Sequence, residues 1–280
     1  MENEIFSYQT YPECKVENAL SVLSLFTFFN RIRPADFSFK GESHDFSEAV
    51  CVLSGKSGVT ADKNTFLLSA GEIILHPPGE FHAIWSDSGI ESELLIFSFR
   101  SEGIPMPSGR VFKIPPEQIV ELRAILRRAQ KAFVFDDVFV KEVADKRLAS
   151  IVLKRLEIFL LKAIAFEEES DSRYTGRSAE NYMRILSVME QNLERQLTAT
   201  DLAALCNMSV PAMEKTVFKY LGCGVVAYFN ALKMQRAKEM LSEGASVKET
   251  AFKLGFSNQN YFSARFKQSV GVPPTKWRKN

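Results

Sequence analysis

The sequence lacks an apolar run long enough to cross a membrane. Its longest apolar-rich stretch, Ala19–Phe29, is interrupted by serine and threonine and falls short of the ~20 residues that a spanning helix needs. The first residues, Met1–Glu4, are acidic where a secretory signal is basic. From these absences we expect a cytoplasmic protein without a membrane partner.

Cysteine is also scarce. The chain has 4 cysteines, which are far apart and form no Cys-x-x-Cys pair: Cys14, Cys51, Cys206 and Cys223. This spacing gives neither a zinc framework nor a disulfide scaffold. We therefore expect reduced cysteines that are mostly packing residues. We assign the chain no cofactor.

The charge of the chain is unevenly distributed along its 280 residues. Residues 178–280 carry 14 basic and 8 acidic side chains, a net charge of +6, whereas the rest of the chain carries −5. A length of 280 residues favours two domains. The asymmetry is typical of a nucleic-acid-binding domain joined to one that does not bind nucleic acid.

In the first two thirds of the chain, the spacing of apolar residues changes after Pro115-Pro116. Before it, short strands such as Glu48–Leu53 and Glu93–Phe99 alternate with turn residues, which predicts a barrel or sandwich. After it, Glu117–Lys131 and Val138–Phe166 show helical spacing. A polar, aperiodic stretch then predicts a linker. The resulting prediction has four parts: 1–115 a sheet domain, 116–166 helices, 167–179 a linker and 180–280 a helical domain.

The C-terminal part contains an internal repeat with an offset of 48 to 49 residues. Both copies begin with a capping box, Thr198–Asp201 in the first and Ser246–Glu249 in the second. The remaining landmarks match in pairs: Ala203 and Ala251 in the short helix, Ser209 and Ser257 as predicted N-caps of the longer helix, Gly222 and Gly271 as its end, and Tyr228 and Trp277 as aromatic residues beyond it. Each copy predicts a short helix, a turn and a longer helix, which is a helix-turn-helix unit.

A single predicted helix, Val225–Glu243, joins the two units. At ~1.5 Å per residue it spans roughly 28 Å. Such a rod holds two recognition helices about one turn of DNA apart, ~34 Å, so both units can enter successive major grooves.

These residues resemble the C-terminal signature of AraC-type regulators. The resemblance covers about residues 180–280 and rests on these landmarks of the second copy: Ala251, Gly255-Phe256, Ser257, Tyr261-Phe262, Phe266-Lys267, Gly271, Pro273 and Trp277-Arg278. The first copy resembles the family through Leu202-Ala203, Met208-Ser209, Gly222, Tyr228 and Arg236–Leu241.

The resemblance places the residues that face DNA bases in the second helix of each unit. In the first unit these are Pro211, Glu214 and Lys215, and in the second Gln259, Asn260 and Ser263. Ala264 stands where the family often has arginine. Arg265, one position later and about 100° around the helix, is the remaining base-facing candidate, and its reach to a guanine stays open. Because both amides of Gln259 and Asn260 can pair with adenine, we expect the second unit to read bases better than the first.

A second set of residues is predicted to contact DNA phosphates. Lysine, arginine and helix N-termini are the usual phosphate ligands. The candidates are Thr198, Lys215, Lys219, Arg236, Ser246, Lys248 and Lys267.

Two spacings in the sheet domain resemble cupin motifs. His44-x3-Glu48-x6-Gly55 resembles the first, with Glu42 in place of its leading histidine, and Gly71-x5-Pro77-x-Gly79-x2-His82 resembles the second. Corresponding side chains hold metal in metal cupins, whereas AraC-type sensor domains usually bind an organic effector without metal. We expect the latter, with Glu42, His44, Glu48, His82 and Trp85 as effector-binding candidates and no bound metal.

The resemblance implies a multidomain α and β protein, a cupin-like barrel followed by helices and an all-α domain of two helix-turn-helix units. It implies a transcriptional regulator, an activator, that binds double-stranded DNA, a small effector such as a sugar derivative, RNA polymerase and a second copy of itself. Two alternatives stay open. One is a metal-dependent cupin enzyme fused to a DNA-binding domain, and the other is a constitutive DNA binder whose barrel only dimerises.

Overall fold

The N-terminal half of the chain forms two facing β-sheets. The computed structural model describes residues 14–86, 89–165, 169–170 and 177–277. The strands of this half are β1 Leu20–Arg33, β2 Ser47–Ser54, β3 Lys56–Ala61, β4 Asn64–Ser69, β5 Glu72–His76, β6 His82–Ser86, β7 Ser92–Gly103 and β8 Val111–Lys113. We refer to β1–β8 as the barrel.

The two sheets enclose an apolar core. The larger sheet has the strand order β8-β5-β2-β7-β1 at its centre, and the smaller has the order β4-β3-β6. Because side chains alternate across a strand, one face of β2 and β7 points into the barrel and the other points outwards. Val50, Val52, Leu94 and Ile96 pack inside with Val59 of β3.

Two helices cover the outer face of the large sheet. They are α1 Pro116–Ala132 and α2 Lys146–Ala165. Their buried residues, such as Leu122 and Phe159, pack with Ala49, Phe97 and Phe99 from the sheet. The apolar residues that the sequence places at helical spacing in this region are therefore buried mainly against the protein's own barrel.

The predicted helix from Val138 is wrong in its first third. Residues 133–143 form a hairpin of β9 Phe133–Asp136 and β10 Phe139–Val143, which pairs with β1 through Phe139 and Thr27. Aromatic and β-branched residues dominate this stretch and favour strands. Asp137 forms the turn with a φ of 52°, in the left-handed region that Asp tolerates better than most residues.

The predicted linker also contains regular structure. The strand β11, Glu169–Ser170, pairs with β8, and helix α3, Arg177–Gln191, begins before the predicted end of the linker. The other linker positions, 167–168 and 171–176, lie outside the described residues.

The C-terminal part is helical, and the repeat has the expected architecture. The first unit contains α4 Ala199–Leu205 and α5 Val210–Leu221, and the second contains α7 Val247–Lys253 and α8 Gln259–Val270. Helix α6, Val225–Ser242, joins them, and a short 3₁₀ helix, Pro274–Lys276, follows. None of the described helices is long and apolar enough to span a membrane.

The same backbone conformation makes the turn in both units. Asn207 has a φ of 52° and Gly255 a φ of 74°, so each turn uses a left-handed residue at the equivalent position. A Cβ atom on Gly255 would lie 2.2 Å from the carbonyl oxygen of Glu194. Glycine at this position therefore permits both the backbone conformation and close packing.

The helix caps of the two units differ in detail. Thr198 and Asp201 form the complete, reciprocal capping box that the sequence predicts. Ser246 accepts a bond from the backbone of Glu249, but the Glu249 carboxylate pairs with Lys253. The cap of α8 is Asn258, not Ser257, because the Asn258 side chain accepts from the backbone N–H groups of Asn260 and Tyr261.

A buried lysine on α6 connects the two units. Lys233 is 2% exposed, and its Nζ donates to the carbonyl oxygen of Arg195 at 2.6 Å and to that of Leu254 at 2.9 Å. Arg195 precedes the first unit and Leu254 ends the first helix of the second. The ammonium also lies near the rings of Phe229 and Phe256. Lys233 thereby fixes the position of one unit relative to the other.

We expect Lys233→Met to lower the free energy of unfolding by about 1–3 kcal/mol, because two carbonyl groups lose their donor. Urea unfolding followed by circular dichroism measures this value. Lys253→Met is the matched control, since Lys253 is an exposed lysine with a surface ion pair, and its loss should cost less than about 0.5 kcal/mol.

The stability difference between wild type and Lys233→Met should also depend on pH. Burial lowers the pKa of Lys233 from its ordinary value of 10.5 to about 8, so the unfolded chain binds this proton more tightly. The unfolding free energy of the wild type should therefore rise relative to the variant between about pH 8 and 10.5. Parallel pH profiles of the two proteins would contradict this account.

Candidate functional site

The two cupin-like segments are joined by backbone hydrogen bonds. Glu42 and His82 exchange both of theirs, with N···O distances of 2.9 and 3.0 Å. The backbone N–H of Gly79 donates to the carbonyl oxygen of His44 at 2.8 Å, and Ser43 donates through its hydroxyl to the Gly79 carbonyl. The turn at Gly79 has a φ of 87°, which glycine adopts without strain. The turn therefore brings His44 and His82 together.

All 3 histidines of the chain lie in one cluster. The ring centroids of His44 and His82 are 4.9 Å apart, and those of His76 and His82 are 4.5 Å apart in a stacked arrangement. His76 and His82 are fully buried.

Backbone carbonyl groups orient two of these rings. The Nδ1 atom of His44 lies 2.8 Å from the oxygen of Phe46, and that of His82 lies 3.1 Å from the oxygen of Glu80. A carbonyl only accepts, so Nδ1 carries the proton in both rings. Neither Nε2 atom has a hydrogen-bond partner among the described residues.

Two carboxylates complete this cluster. The Nε2 atom of His82 is 3.4 Å from an oxygen of Glu48 and 4.0 Å from an oxygen of Glu42. One ligand atom from each of Glu42, His44, Glu48 and His82 lies within 4.8 Å of the other three. The structure thus brings together four of the five effector-binding candidates. We refer to these four residues as the His/Glu cluster.

The sequence alone indicates no role for His76. In the structure its ring packs against His82 of the cluster. Its Nδ1 atom lies 2.6 Å from a carboxylate oxygen of Glu80, whose other oxygen accepts from Ser108. The spacing His76-x3-Glu80 across the Pro77 turn is the sequence signal for this pair, and its meaning depends on the fold.

The ionisable groups of the cluster shift one another's pKa values. Burial alone would raise the pKa of Glu48, but the neighbouring imidazoles, His82 foremost with His76 and His44, together hold that pKa below its usual value. Burial alone would lower the pKa of His82, but Glu48 holds it above its usual value. For His76 burial dominates and lowers the pKa despite Glu80.

A cavity of about 220 Å³ adjoins the cluster inside the barrel. Glu42 and Glu48 contribute to its wall, together with charged, aromatic and aliphatic side chains. The other residues of the wall are Thr27, Phe29, Arg31, Arg33, Phe37, Phe39, Ile84, Ile96, Val138 and Phe139. The guanidinium of Arg33 lies 4.4 Å from the ring centroid of Phe37. Burial, and to a lesser degree the charge of Arg31, lower the pKa of Arg33. A cavity with this mixture of groups suits a small polar ligand.

Trp85 does not face this cavity, which corrects its assignment as an effector-binding residue. Side chains alternate along β6, so His82 and Ile84 point into the barrel while Trp85 points out. The indole packs at right angles to Tyr220 with a centroid distance of 5.1 Å, and its Nε1 donates to Thr60. Tyr220 belongs to α5 of the first helix-turn-helix unit. Trp85 therefore joins the barrel to the helical domain.

Further contacts extend this interface. Thr60 donates to the carbonyl oxygen of Tyr220 at 3.1 Å, and Tyr182 of α3 donates to the carbonyl oxygen of Asp62 at 2.9 Å. Phe81 and Tyr228 form an edge contact. The barrel and the first unit thus share one apolar core around Trp85.

The base-facing candidates of the second unit lie at the accessible start of α8. Gln259 and Asn260 are exposed and Ser263 is half-buried. Arg265 follows Asn260 by five positions, about 140° around the helix, on another flank. Its guanidinium donates to Gln268, and it lines a groove beside Asn230 of α6.

The candidates of the first unit differ among themselves. Pro211 and Lys215 are exposed on α5. Glu214 is half-buried, and its carboxylate accepts from the backbone N–H of Val225 at 3.2 Å. This bond places Glu214 at the start of α6, where it stabilises the helix N-terminus.

Most phosphate candidates are exposed. This group consists of Thr198, Lys215, Arg236, Ser246, Lys248 and Lys267. Lys219 is half-buried instead, with its amine 4.4 Å from the ring of Trp85. In this arrangement Lys219 contributes to the interface with the barrel.

Two family models match this chain. One, described as a helix-turn-helix domain, matches residues 202–280, and one described as an AraC-like ligand binding domain matches residues 29–133. The first covers both units except the start of α4, and the second covers the His/Glu cluster and most of the cavity wall.

Curated relatives carry the names of transcriptional regulators. The HTH-type transcriptional regulator GbdR of Pseudomonas aeruginosa is 28% identical over 123 residues, which are 42% of this chain and 34% of that protein. The HTH-type transcriptional activator RhaR of Mannheimia succiniciproducens is 18% identical over 249 residues, 84% of this chain and 85% of that protein. The chain thus spans about a third of GbdR and most of RhaR.

Proposed function

This chain belongs to the AraC family of transcriptional regulators, and we propose that it binds specific DNA sequences through both helix-turn-helix units under the control of a small ligand in the barrel. The observation that carries this proposal is the pair of units with equivalent turns, joined by α6 and held by Lys233.

The two units are proposed to play unequal roles. Gln259 and Asn260 stand exposed at the start of α8, where an amide can bond bidentately to adenine. In the first unit Glu214 is engaged by α6, which leaves Pro211 and Lys215 as the accessible candidates. We therefore assign base reading mainly to α8 and positioning mainly to α5.

We expect Gln259→Ala to lose about 1–3 kcal/mol of binding free energy on the cognate site and little on random DNA. Lys267→Ala, a control on the same helix, should weaken binding to both DNAs alike and reduce the salt dependence, because it contacts phosphate. The cognate site comes from selection of bound sequences with the purified chain, and competition titrations give the affinities. Equal losses on both DNAs for Gln259→Ala would refute base reading by this residue.

Ligand control is proposed to act through β6. His82 and Ile84 of this strand face the interior, and Trp85 packs on Tyr220 of α5. A ligand that prefers one arrangement of β6 would shift the population of the corresponding position of α5. The charged and aromatic cavity wall supports a small polar effector, of which a sugar derivative is one class.

We further propose that the chain forms a homodimer through α2. Ile151 and Ile158 are 48% and 50% exposed and lie seven residues apart, on the same face of the helix. Two such apolar side chains per protomer favour a symmetric helix-to-helix contact.

Ile158→Asp should shift the chain towards the monomer in sedimentation equilibrium, because a charge would be buried in the contact. Ser150→Asp is the control, since it adds the same charge at an exposed position of α2. An unchanged association constant for Ile158→Asp would exclude this face.

The regulator is proposed to act in the cytoplasm, as an activator that contacts RNA polymerase, and not as an enzyme. The names of the relatives support the part of this proposal that concerns activation of transcription, since RhaR is named a transcriptional activator and GbdR a transcriptional regulator.

A further inference from the structure

We propose that the His/Glu cluster binds one divalent transition-metal ion beside the cavity. The ligands would be Nε2 of His44, Nε2 of His82 and one carboxylate oxygen each from Glu42 and Glu48. This site is a property of the barrel and does not depend on DNA binding or on the identity of an effector.

The two histidines are arranged as metal ligands. The bonds of both Nδ1 atoms to backbone carbonyl groups leave the lone pair on Nε2 of each ring. Metal-bound histidines generally have such a partner on the second nitrogen, which fixes the tautomer and the ring orientation. Both Nε2 atoms are buried without a hydrogen-bond partner in the part of the chain that the structure describes. A buried acceptor without a donor is costly, and a metal ion at Nε2 of His44 removes this cost. At His82 the nearest group to Nε2 is the Glu48 carboxylate at 3.4 Å, which would share the ion with the imidazole.

The carboxylates supply the negative charge that a cation needs. Glu48 is buried, with a side chain that is 9% exposed, and lies beside His82. The side chain of Glu42 is 51% exposed, and one of its carboxylate oxygens lies 4.0 Å from Nε2 of His82. Its backbone is held there by two hydrogen bonds to the backbone of His82. Because one ligand is half-exposed, the ion can enter and exchange from the solvent.

The distances suit a single ion after small side-chain movements. Nitrogen and oxygen ligands lie ~2.0–2.2 Å from Zn²⁺, so two ligands of one ion are roughly 3–4 Å apart. The Nε2 atom of His82 is 3.4 Å from Glu48 and 4.0 Å from Glu42, and the four ligand atoms lie within 4.8 Å of one another. A rotation of the half-exposed Glu42 brings its oxygen closer.

The ligand set selects the class of ion. Imidazole favours Zn²⁺, Fe²⁺ and related first-row ions, and two carboxylates add affinity for hard divalent ions such as Mn²⁺. Mg²⁺ and Ca²⁺ prefer oxygen ligands throughout. We therefore expect Zn²⁺, Fe²⁺ or Mn²⁺, with Co²⁺ as a spectroscopic substitute.

This inference reverses the expectation of a metal-free barrel. That expectation rested on the family resemblance and on Glu42 in the position of a usual histidine. In the structure the Glu42 carboxylate lies with the ligand atoms of His44, Glu48 and His82. Glutamate in place of the usual histidine therefore replaces a nitrogen ligand with an oxygen ligand and keeps the number of ligands at four.

The experiment uses the untagged full chain after removal of metal by a chelator. Zn²⁺ is titrated in competition with a chromophoric chelator, and Co²⁺ is titrated while its visible absorption is recorded. We expect one ion per chain for each metal, and Co²⁺ bands typical of nitrogen and oxygen ligands. Zn²⁺ should also raise the unfolding temperature, because it binds the folded chain.

Two variants assign the ion to the cluster. Glu42→Gln and His82→Ala should each weaken Zn²⁺ binding by at least about tenfold and remove the thermal shift. Glu42 is half-exposed, so Glu42→Gln is expected to fold even if His82→Ala does not, and circular dichroism checks both. Asp45→Asn is the matched control, because Asp45 is an exposed neighbouring carboxylate that pairs with Arg100.

The proposal is wrong if no ion binds above the competing chelator, if folded Glu42→Gln binds Zn²⁺ as wild type does, or if Asp45→Asn weakens binding equally. Cobalt bands of thiolate ligation would place the ion at a cysteine and would equally overturn it. None of these results bears on DNA binding, which the variants of α8 test separately.

Discussion

Coupling between the barrel and the helical domain depends on the alternation of side chains along one short strand, β6. In β6 the inward residues His82 and Ile84 face the proposed ligand site, and the outward Trp85 packs on Tyr220 of α5 in the first helix-turn-helix unit. A strand cannot move one face without the other, because a backbone shift displaces both sets of side chains. A displacement of β6, residues His82–Ser86, therefore moves side chains in the barrel and at the helical domain together.

The helical domain can pass such a displacement on, because its two units are not independent. Lys233 holds the segment before α4 and the end of α7 through two carbonyl groups, and Glu214 links α5 to the start of α6. A change at Tyr220 therefore acts on a domain whose recognition helices keep a fixed separation. In this account the ligand changes the orientation of the whole DNA-binding domain relative to the barrel.

The sequence predicted the features that are local. Capping residues, turn glycines and the period of the repeat gave both helix-turn-helix units, and the two cupin-like spacings gave Glu42, His44, Glu48 and His82. Apart from this resemblance, which groups His82 with the distant Glu42, His44 and Glu48, it did not predict contacts between distant segments. A lone lysine such as Lys233 or a lone tryptophan such as Trp85 shows no pattern that reveals its partner. The hairpin at 133–143 was missed because Val140, Val143 and Ala144 satisfy a helical spacing by coincidence, while the neighbouring aromatic and β-branched residues favour strands.

Hydrogen–deuterium exchange of the full chain, with and without its selected DNA site, tests the central claim most directly. Coupling between two sites is reciprocal, so DNA bound to α5 and α8 must alter the barrel if the barrel controls DNA binding. The account predicts that DNA changes the exchange of the amides of β6, residues 82–86, as well as those of the helical domain. A change confined to residues 177–277, with β6 unaffected, would contradict it.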